Sequence, residues 1–174
     1  MEKIFYTQRS AFASSEDAVK KILQDYFGYS NPQILRTENG KPYLAQSNLP
    51  SFFSISHSED ALFIAFCDEN VGLDVEKNNR IVNYLPIIRK FPEIERKKIK
   101  NTQDFLRHFT AKESGIKWLG GKLSRDCSSL LFMDGKLYYK DVSLPVQITL
   151  REYNGFYLTV CSEKDFSHAE IVTL

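Results

Sequence analysis

The chain has 174 residues, 43% of them hydrophobic, and a formal net charge of +1. That is enough apolar material for one buried core, and the near-neutral balance argues against a protein built to bind nucleic acid or an anionic membrane. Cys67, Cys127 and Cys161 are odd in number and form no C-x-x-C, so they suggest neither a disulfide framework nor a zinc site. A cytoplasmic location is the expectation, and no apolar run approaches the ~18 residues of a membrane span.

In chain order, Lys3 to Thr7 predicts a strand. Ser14, with Asp17 three residues later, marks a helix start, and Val19, Ile22, Leu23, Tyr26 and Phe27 form its apolar face up to Gly28. Gln33 to Thr37, an Asn39-Gly40 turn and Lys41 to Leu44 predict a hairpin. A Phe-rich strand then runs from Ser51 through S-I-S-H-S, Ser54 to Ser58, and Ala61 to Cys67 is a nearly continuous apolar strand. In V-G-L-D-V-E, Val71, Leu73 and Val75 alternate with Asp74 and Glu76. On a strand, both carboxylates therefore leave the same face, roughly 6.5 Å apart.

The polar K-N-N-R that follows changes the character of the chain, and the expected plan is two halves, 1–76 and 77–174, of one compact unit. Ile81 to Lys90, Pro92 to Ile99 and Asn101 to Leu119 predict helices, the last capped by Asn101 with Asp104 and stopped by Gly120-Gly121. On it Phe105, Phe109, Lys112 and Ile116 share one stripe, while Phe109, Glu113 and Lys117 follow one another at i, i+4 spacing. Strands are expected over Ser128 to Met133, Lys136 to Lys140, Val146 to Glu152 and Phe156 to Ser162, with hairpin turns at Asp134-Gly135 and Asn154-Gly155.

Two carboxylates on one strand face suit a hard cation such as Mg²⁺, although the same pattern describes a half-buried strand with a solvated acidic face. Singly, His57 reads as a loop histidine, Lys41 as a solvated turn residue, Lys117 as the partner of Glu113 on a helix surface, and Glu95, within E-I-E-R-K-K, as a surface acid. Together these groups fit the handling of a pyrophosphate, where the protein positions reactants and neutralises charge. The sequence holds no glycine-rich nucleotide loop, serine elbow, H-E-x-x-H helix or deaminase signature.

G-K-P-Y-L, F-F-S-I-S-H-S, V-G-L-D-V-E, F-P-E-I-E and F-T-A-K-E-S-G-I-K-W-L-G-G-K-L-S occur in the order and rough spacing of the 4′-phosphopantetheinyl transferases. The chain resembles the pseudo-dimeric, surfactin-synthetase-activating type. The resemblance implies an α+β fold of two similar halves related by a pseudo-two-fold, with coenzyme A in the cleft between them. It implies transfer of phosphopantetheine to a serine of an apo acyl carrier or peptidyl carrier protein, with release of adenosine 3′,5′-bisphosphate. By the same resemblance Asp74, Glu76 and Glu113 match the ligands of Mg²⁺, for which Mn²⁺ can substitute. Lys117 and His57 match contacts to the pyrophosphate, and Lys41 and Ser56 match contacts to the adenosine end. Glu95 matches the general base, and Lys112 precedes the metal glutamate.

The basic helix start that grips the 3′-phosphate in longer relatives has no match here; Arg9, Lys20, Lys21 and Arg36 are the candidates to replace it. Phe109 stands where relatives commonly carry tryptophan. Arg89, Lys90, Arg96, Lys97, Lys98 and Lys100 are a candidate surface for an acidic carrier protein, or simply a solvated helix face. A monomer is expected. The competing readings are a catalytically silent relative that binds coenzyme A or a carrier protein, and a metal-dependent phosphodiesterase or nuclease, which the absence of a basic stripe disfavours.

Overall fold

The computed structural model describes residues 1–46 and 50–174. In chain order it contains β1 (Glu2–Gln8), α1 (Ser15–Phe27), β2 (Ile34–Arg36), β3 (Pro42–Leu44), β4 (Phe52–Ser58), β5 (Ala61–Cys67) and β6 (Val71–Lys77). Then come the one-turn helices α2 (Leu85–Ile88) and α3 (Glu93–Arg96), the long α4 (Thr102–Leu119) and the short α5 (Leu123–Asp126). The remainder is β7 (Leu130–Met133), β8 (Lys136–Tyr139), β9 (Val142–Ser143), β10 (Gln147–Tyr153), β11 (Phe156–Ser162) and β12 (Glu170–Thr173).

The apolar run of β5 explains the layering. Buried along its whole length, it sends Leu62, Ile64 and Phe66 to a core beneath α1, and Phe63, Ala65 and Cys67 to a second core on the opposite face. Each fully buried side chain of this size stabilises the fold by roughly 1.5–3 kcal/mol relative to its exposed form. One sheet has the order β12-β1-β5-β4 and another the order β10-β11-β6. Ala18, Val19, Ile22 and Leu23 of α1 cover the first sheet. The second core joins it to Val71, Leu73 and Val75 of β6 and to Leu158 and Val160 of β11. Helix α4 packs on β6 and β11. The result is a mixed α+β fold in which one helix-on-sheet unit backs onto another. Backbone pairing nevertheless crosses the junction after Glu76 in both directions: β6 pairs with β11, and β12 pairs parallel to β1.

The caps form as the sequence predicts. Ser14 Oγ accepts from the Asp17 amide at 3.1 Å and Asn101 Oδ1 from the Asp104 amide at 2.8 Å, while Gly28 and Gly120 close the two helices. At Asp134-Gly135 and Asn154-Gly155 both central residues have positive φ, as a two-residue hairpin turn matching the strand twist requires. Two helices are shorter than expected. Of Ile81 to Lys90 only Leu85–Ile88 is helical, because no side chain caps its start and Ile81, 99% exposed, has nothing to pack on. Of Pro92 to Ile99 only Glu93–Arg96 is helical, again without a side-chain cap. Helix α5 and strands β9 and β12 were not expected from local pattern.

Candidate active site

Gly72 sets the distance between α4 and β6. A Cβ there would overlap the Ser114 carbonyl oxygen and lie 2.6 Å from the Trp118 amide nitrogen, so strand and helix backbones meet with nothing between them. Because Gly72 sits two residues before Asp74 on the same strand face, this approach brings Glu113 and Lys117, one turn apart on α4, over the carboxylates of β6. The three acids and the lysine lie within one electrostatic neighbourhood.

Lys117 Nζ donates to Asp74 Oδ1 at 2.8 Å, to the Leu73 carbonyl at 2.8 Å and to the Ile55 carbonyl at 3.3 Å, so it ties β4 to β6. Ser56 Oγ donates to the same Asp74 Oδ1 at 2.9 Å. Both contacts fall on Oδ1; Oδ2 has no partner among the described residues. Glu76 has both oxygens engaged, Oε2 by Ser58 at 3.1 Å and Oε1 by Arg80 at 2.6 Å. Glu113 makes no hydrogen bond or ion pair among the described residues. Burial, and after it the charges of Asp74 and Glu76, push its carboxyl up to about 7 against the pull of Lys117.

Among the described residues no three histidine, cysteine or acidic side chains stand close enough to hold a metal ion as they are placed. The donor chemistry nevertheless suits a hard dication. An unpartnered carboxylate raised by burial and by two neighbouring acids, in the same electrostatic neighbourhood as an aspartate with one free oxygen, is a site whose charge a cation would balance.

Beside these acids lies a cleft of about 340 Å³ lined by Arg36, Lys41, Pro42, Ile55, His57 and Lys117. It gathers three of the residues singled out for phosphate or adenosine contacts. Lys41 Nζ donates to Asn70 Oδ1 at 2.6 Å and to the Trp118 carbonyl at 3.3 Å, and burial lowers its pKa to about 8. Of the basic candidates for a 3′-phosphate, Arg36 lines the cleft while paired with Glu16 and donating to the Gly40 carbonyl at 2.9 Å, and Lys21 is tied to Asp25 along α1 at 2.8 Å. His57 is exposed and lines a second, smaller pocket shared with Glu76, Lys77 and Arg80.

Two residues lie elsewhere than the sequence reading put them. Ser56 is 6% exposed and turned toward β6, because on β4 it occupies the face opposite that of His57. Glu95 is fully buried, which corrects its reading as a surface acid. Its Oε2 accepts from Lys112 Nζ at 2.9 Å and from the Phe132 amide at 3.3 Å, and its Oε1 pairs with His108 Nδ1 at 3.0 Å. Lys112 is equally enclosed, bonded also to the Leu130 carbonyl and placed 4.6 Å from the centre of the Phe91 ring. This knot fastens α3 and β7 to α4. The sequence reading missed Arg80 and His108. Arg80 falls four residues after Glu76, a spacing that could have signalled the pair; nothing local signals His108.

A profile of the 4′-phosphopantetheinyl transferase superfamily matches residues 70–172. The match spans more than half of the chain, and the protein belongs to that superfamily, whose members transfer phosphopantetheine. No curated protein matches the chain. Among the described residues no helix is long and apolar enough to cross a membrane.

Proposed function

We propose that this chain is an active phosphopantetheinyl transferase of the pseudo-dimeric type, moving the 4′-phosphopantetheine arm of coenzyme A onto a serine of an apo acyl carrier or peptidyl carrier protein. The observation that carries this reading is the junction of two half-sites. An acidic wall with open oxygens on Asp74 and Glu113 adjoins a cleft lined by Lys41, His57, Lys117 and Arg36. Acids alone would serve many metal enzymes, and bases alone many anion sites. Side by side they match a pyrophosphate, which needs cationic contacts along its length and a dication across it.

In this reading the serine oxygen of the carrier protein attacks the phosphorus bonded to pantetheine as its proton passes to a carboxylate of the acidic wall or to water beside it. The bond from that phosphorus to the bridging oxygen breaks, and adenosine 3′,5′-bisphosphate leaves. Mg²⁺, or Mn²⁺ in its place, would be held at Asp74, Glu76 and Glu113, and supplies neutralisation of the charge that grows on the leaving group. Lys117 and His57 contact phosphate oxygens, and Lys41 and Arg36 hold the adenosine end with its 3′-phosphate. Glu95, enclosed by Lys112 and His108, is assigned to holding α4 in place and not to taking the serine proton.

The carrier is proposed to dock beside α2 and α3. There a mainly apolar groove of about 580 Å³ is lined by Pro86, Ile87, Lys90 and Phe109; Leu85 of α2 and Ile94 of α3 are exposed, and the exposed Lys97, Lys98 and Lys100 follow α3. Apolar contacts accompanied by lysines suit an acidic partner. The test is the intact mass of an apo carrier protein incubated with this chain, coenzyme A and Mg²⁺. A gain of the phosphopantetheine mass that disappears with EDTA is the expected result. No gain across fatty acid, polyketide and peptide carriers, despite binding of coenzyme A, would replace this reading with that of a silent binder.

A further inference from the structure

Strands β4 and β6 lie side by side, yet no backbone ladder joins them; β4 pairs only with β5, and β6 only with β11, among the described residues. The edge of β6 that faces β4 therefore carries amide groups needing partners inside the protein. Three alternate serines supply them. Ser54 Oγ accepts from the Leu73 amide at 2.9 Å, Ser56 Oγ from the Val75 amide at 3.2 Å and Ser58 Oγ from the Lys77 amide at 3.2 Å. All three serines are buried, at 5%, 6% and 8% exposure. Period-two spacing on β4 meets period-two spacing on β6, so a side-chain ladder replaces a backbone one.

A serine hydroxyl that accepts one hydrogen bond still has a proton to donate. Ser56 gives its proton to Asp74 Oδ1 and Ser58 gives its own to Glu76 Oε2. Ser54 is the exception, because the residue beside it on that face of β6 is Gly72, which has no side chain to receive one. The orientation of these two carboxylates is thus fixed by the same hydroxyls that join the strands. At Asp74 the consequence is directional: Ser56 and Lys117 both occupy Oδ1, and Oδ2 is left to face outward.

We infer that Ser56 and Ser58 are positioning residues for the ion-binding carboxylates, acting through Asp74 and Glu76 and not through contact with the coenzyme. The inference rests on the reading of Asp74 as an ion ligand. Hydroxyls that brace ligating carboxylates typically contribute about 10–100-fold to metal affinity. Ser54 provides the internal control, since Ser54→Ala removes a rung of the ladder without freeing a carboxylate.

The experiment measures Mn²⁺ binding to the intact protein by electron paramagnetic resonance, alongside thermal unfolding and coenzyme A binding in EDTA. Ser56→Ala is expected to weaken Mn²⁺ binding by about tenfold or more, while Ser54→Ala stays within about twofold of the parent. Both variants should lose similar stability, and Ser56→Ala should bind coenzyme A in EDTA as the parent does. Equal Mn²⁺ affinities for Ser54→Ala and Ser56→Ala would reduce the ladder to a seam and overturn the inference. Loss of coenzyme A binding in EDTA by Ser56→Ala would also overturn it, by making Ser56 a coenzyme contact. If Ser56→Ala does not fold, Ser58→Ala, at the end of the ladder, carries the same comparison with Ser54→Ala. A parent protein that binds no Mn²⁺ would remove the ion site and this inference together. A carrier left unmodified while the Mn²⁺ ranking holds would remove the transfer reading alone.

Discussion

Helix α4 holds two lysine–carboxylate pairs of nearly equal length and opposite character. Lys112 meets Glu95 at 2.9 Å with both side chains fully enclosed; Lys117, little more than a turn further on, meets Asp74 at 2.8 Å with its own side chain 30% exposed. Distance does not separate them, and surroundings do. Around Glu95 every oxygen is claimed, by Lys112, His108 and the Phe132 amide, and an aromatic ring closes the site. Beside Asp74 one oxygen is free, a second carboxylate stands without a partner, and a cleft opens. The first pair is a fastening, and the second can exchange its partners.

The largest expected effect separates the two at once. Lys112→Ala leaves a buried carboxylate without its lysine and should lower stability by about 3–5 kcal/mol, read from urea unfolding. A loss below about 1 kcal/mol would show that the enclosed pair is not a fastening. Lys117→Ala should change stability by about 1 kcal/mol or less, since its pair is partly solvated, while carrier modification falls by about 10²–10³-fold. Unchanged turnover in that variant would take Lys117 out of the reaction.

The smallest effect sharpens the account of the open site. The Glu113 carboxyl is raised from an ordinary 4.5 to about 7, so between those values the folded protein holds more protons than the unfolded chain. Stability therefore falls as pH rises through that window in the absence of metal. Glu113→Gln cannot ionise, and in EDTA at pH 8 it should unfold a few degrees higher than the parent, with the gap narrowing toward pH 5. Equal melting temperatures at both pH values would mean that neither burial nor the neighbouring acids raise this carboxyl.

The elements of the open site were legible because they are local. Alternation in V-G-L-D-V-E sets its acids on one face, and i, i+4 spacing places Glu113 and Lys117 on one side of a capped helix. The family profile begins at residue 70, so Lys41 and His57 lie outside the matched segment, yet the hairpin turn and strand alternation carry both to the cleft. The enclosed knot was not legible. Glu95 sits in E-I-E-R-K-K, whose charges describe a surface, and its burial depends on Lys112 and Phe132, far along the chain. The turn between β8 and β9 escaped for a related reason: Lys140 and Asp141 both adopt positive φ with no glycine to announce it. The serine ladder was visible only as S-I-S-H-S, since its meaning lies in the amides of a different strand.

The parallel pairing of β12 with β1 has a consequence for how the protein is made. Lys3 and Glu170, joined at 2.8 Å across that pairing, are separated by 167 positions. On the ribosome β1 emerges well before β12, and its outer edge stays open until almost all of the matched segment has followed. The first sheet cannot be completed until residues 170 to 173 have been made. A nascent chain stalled before residue 170 would present an unpaired strand edge, open to association with other such chains.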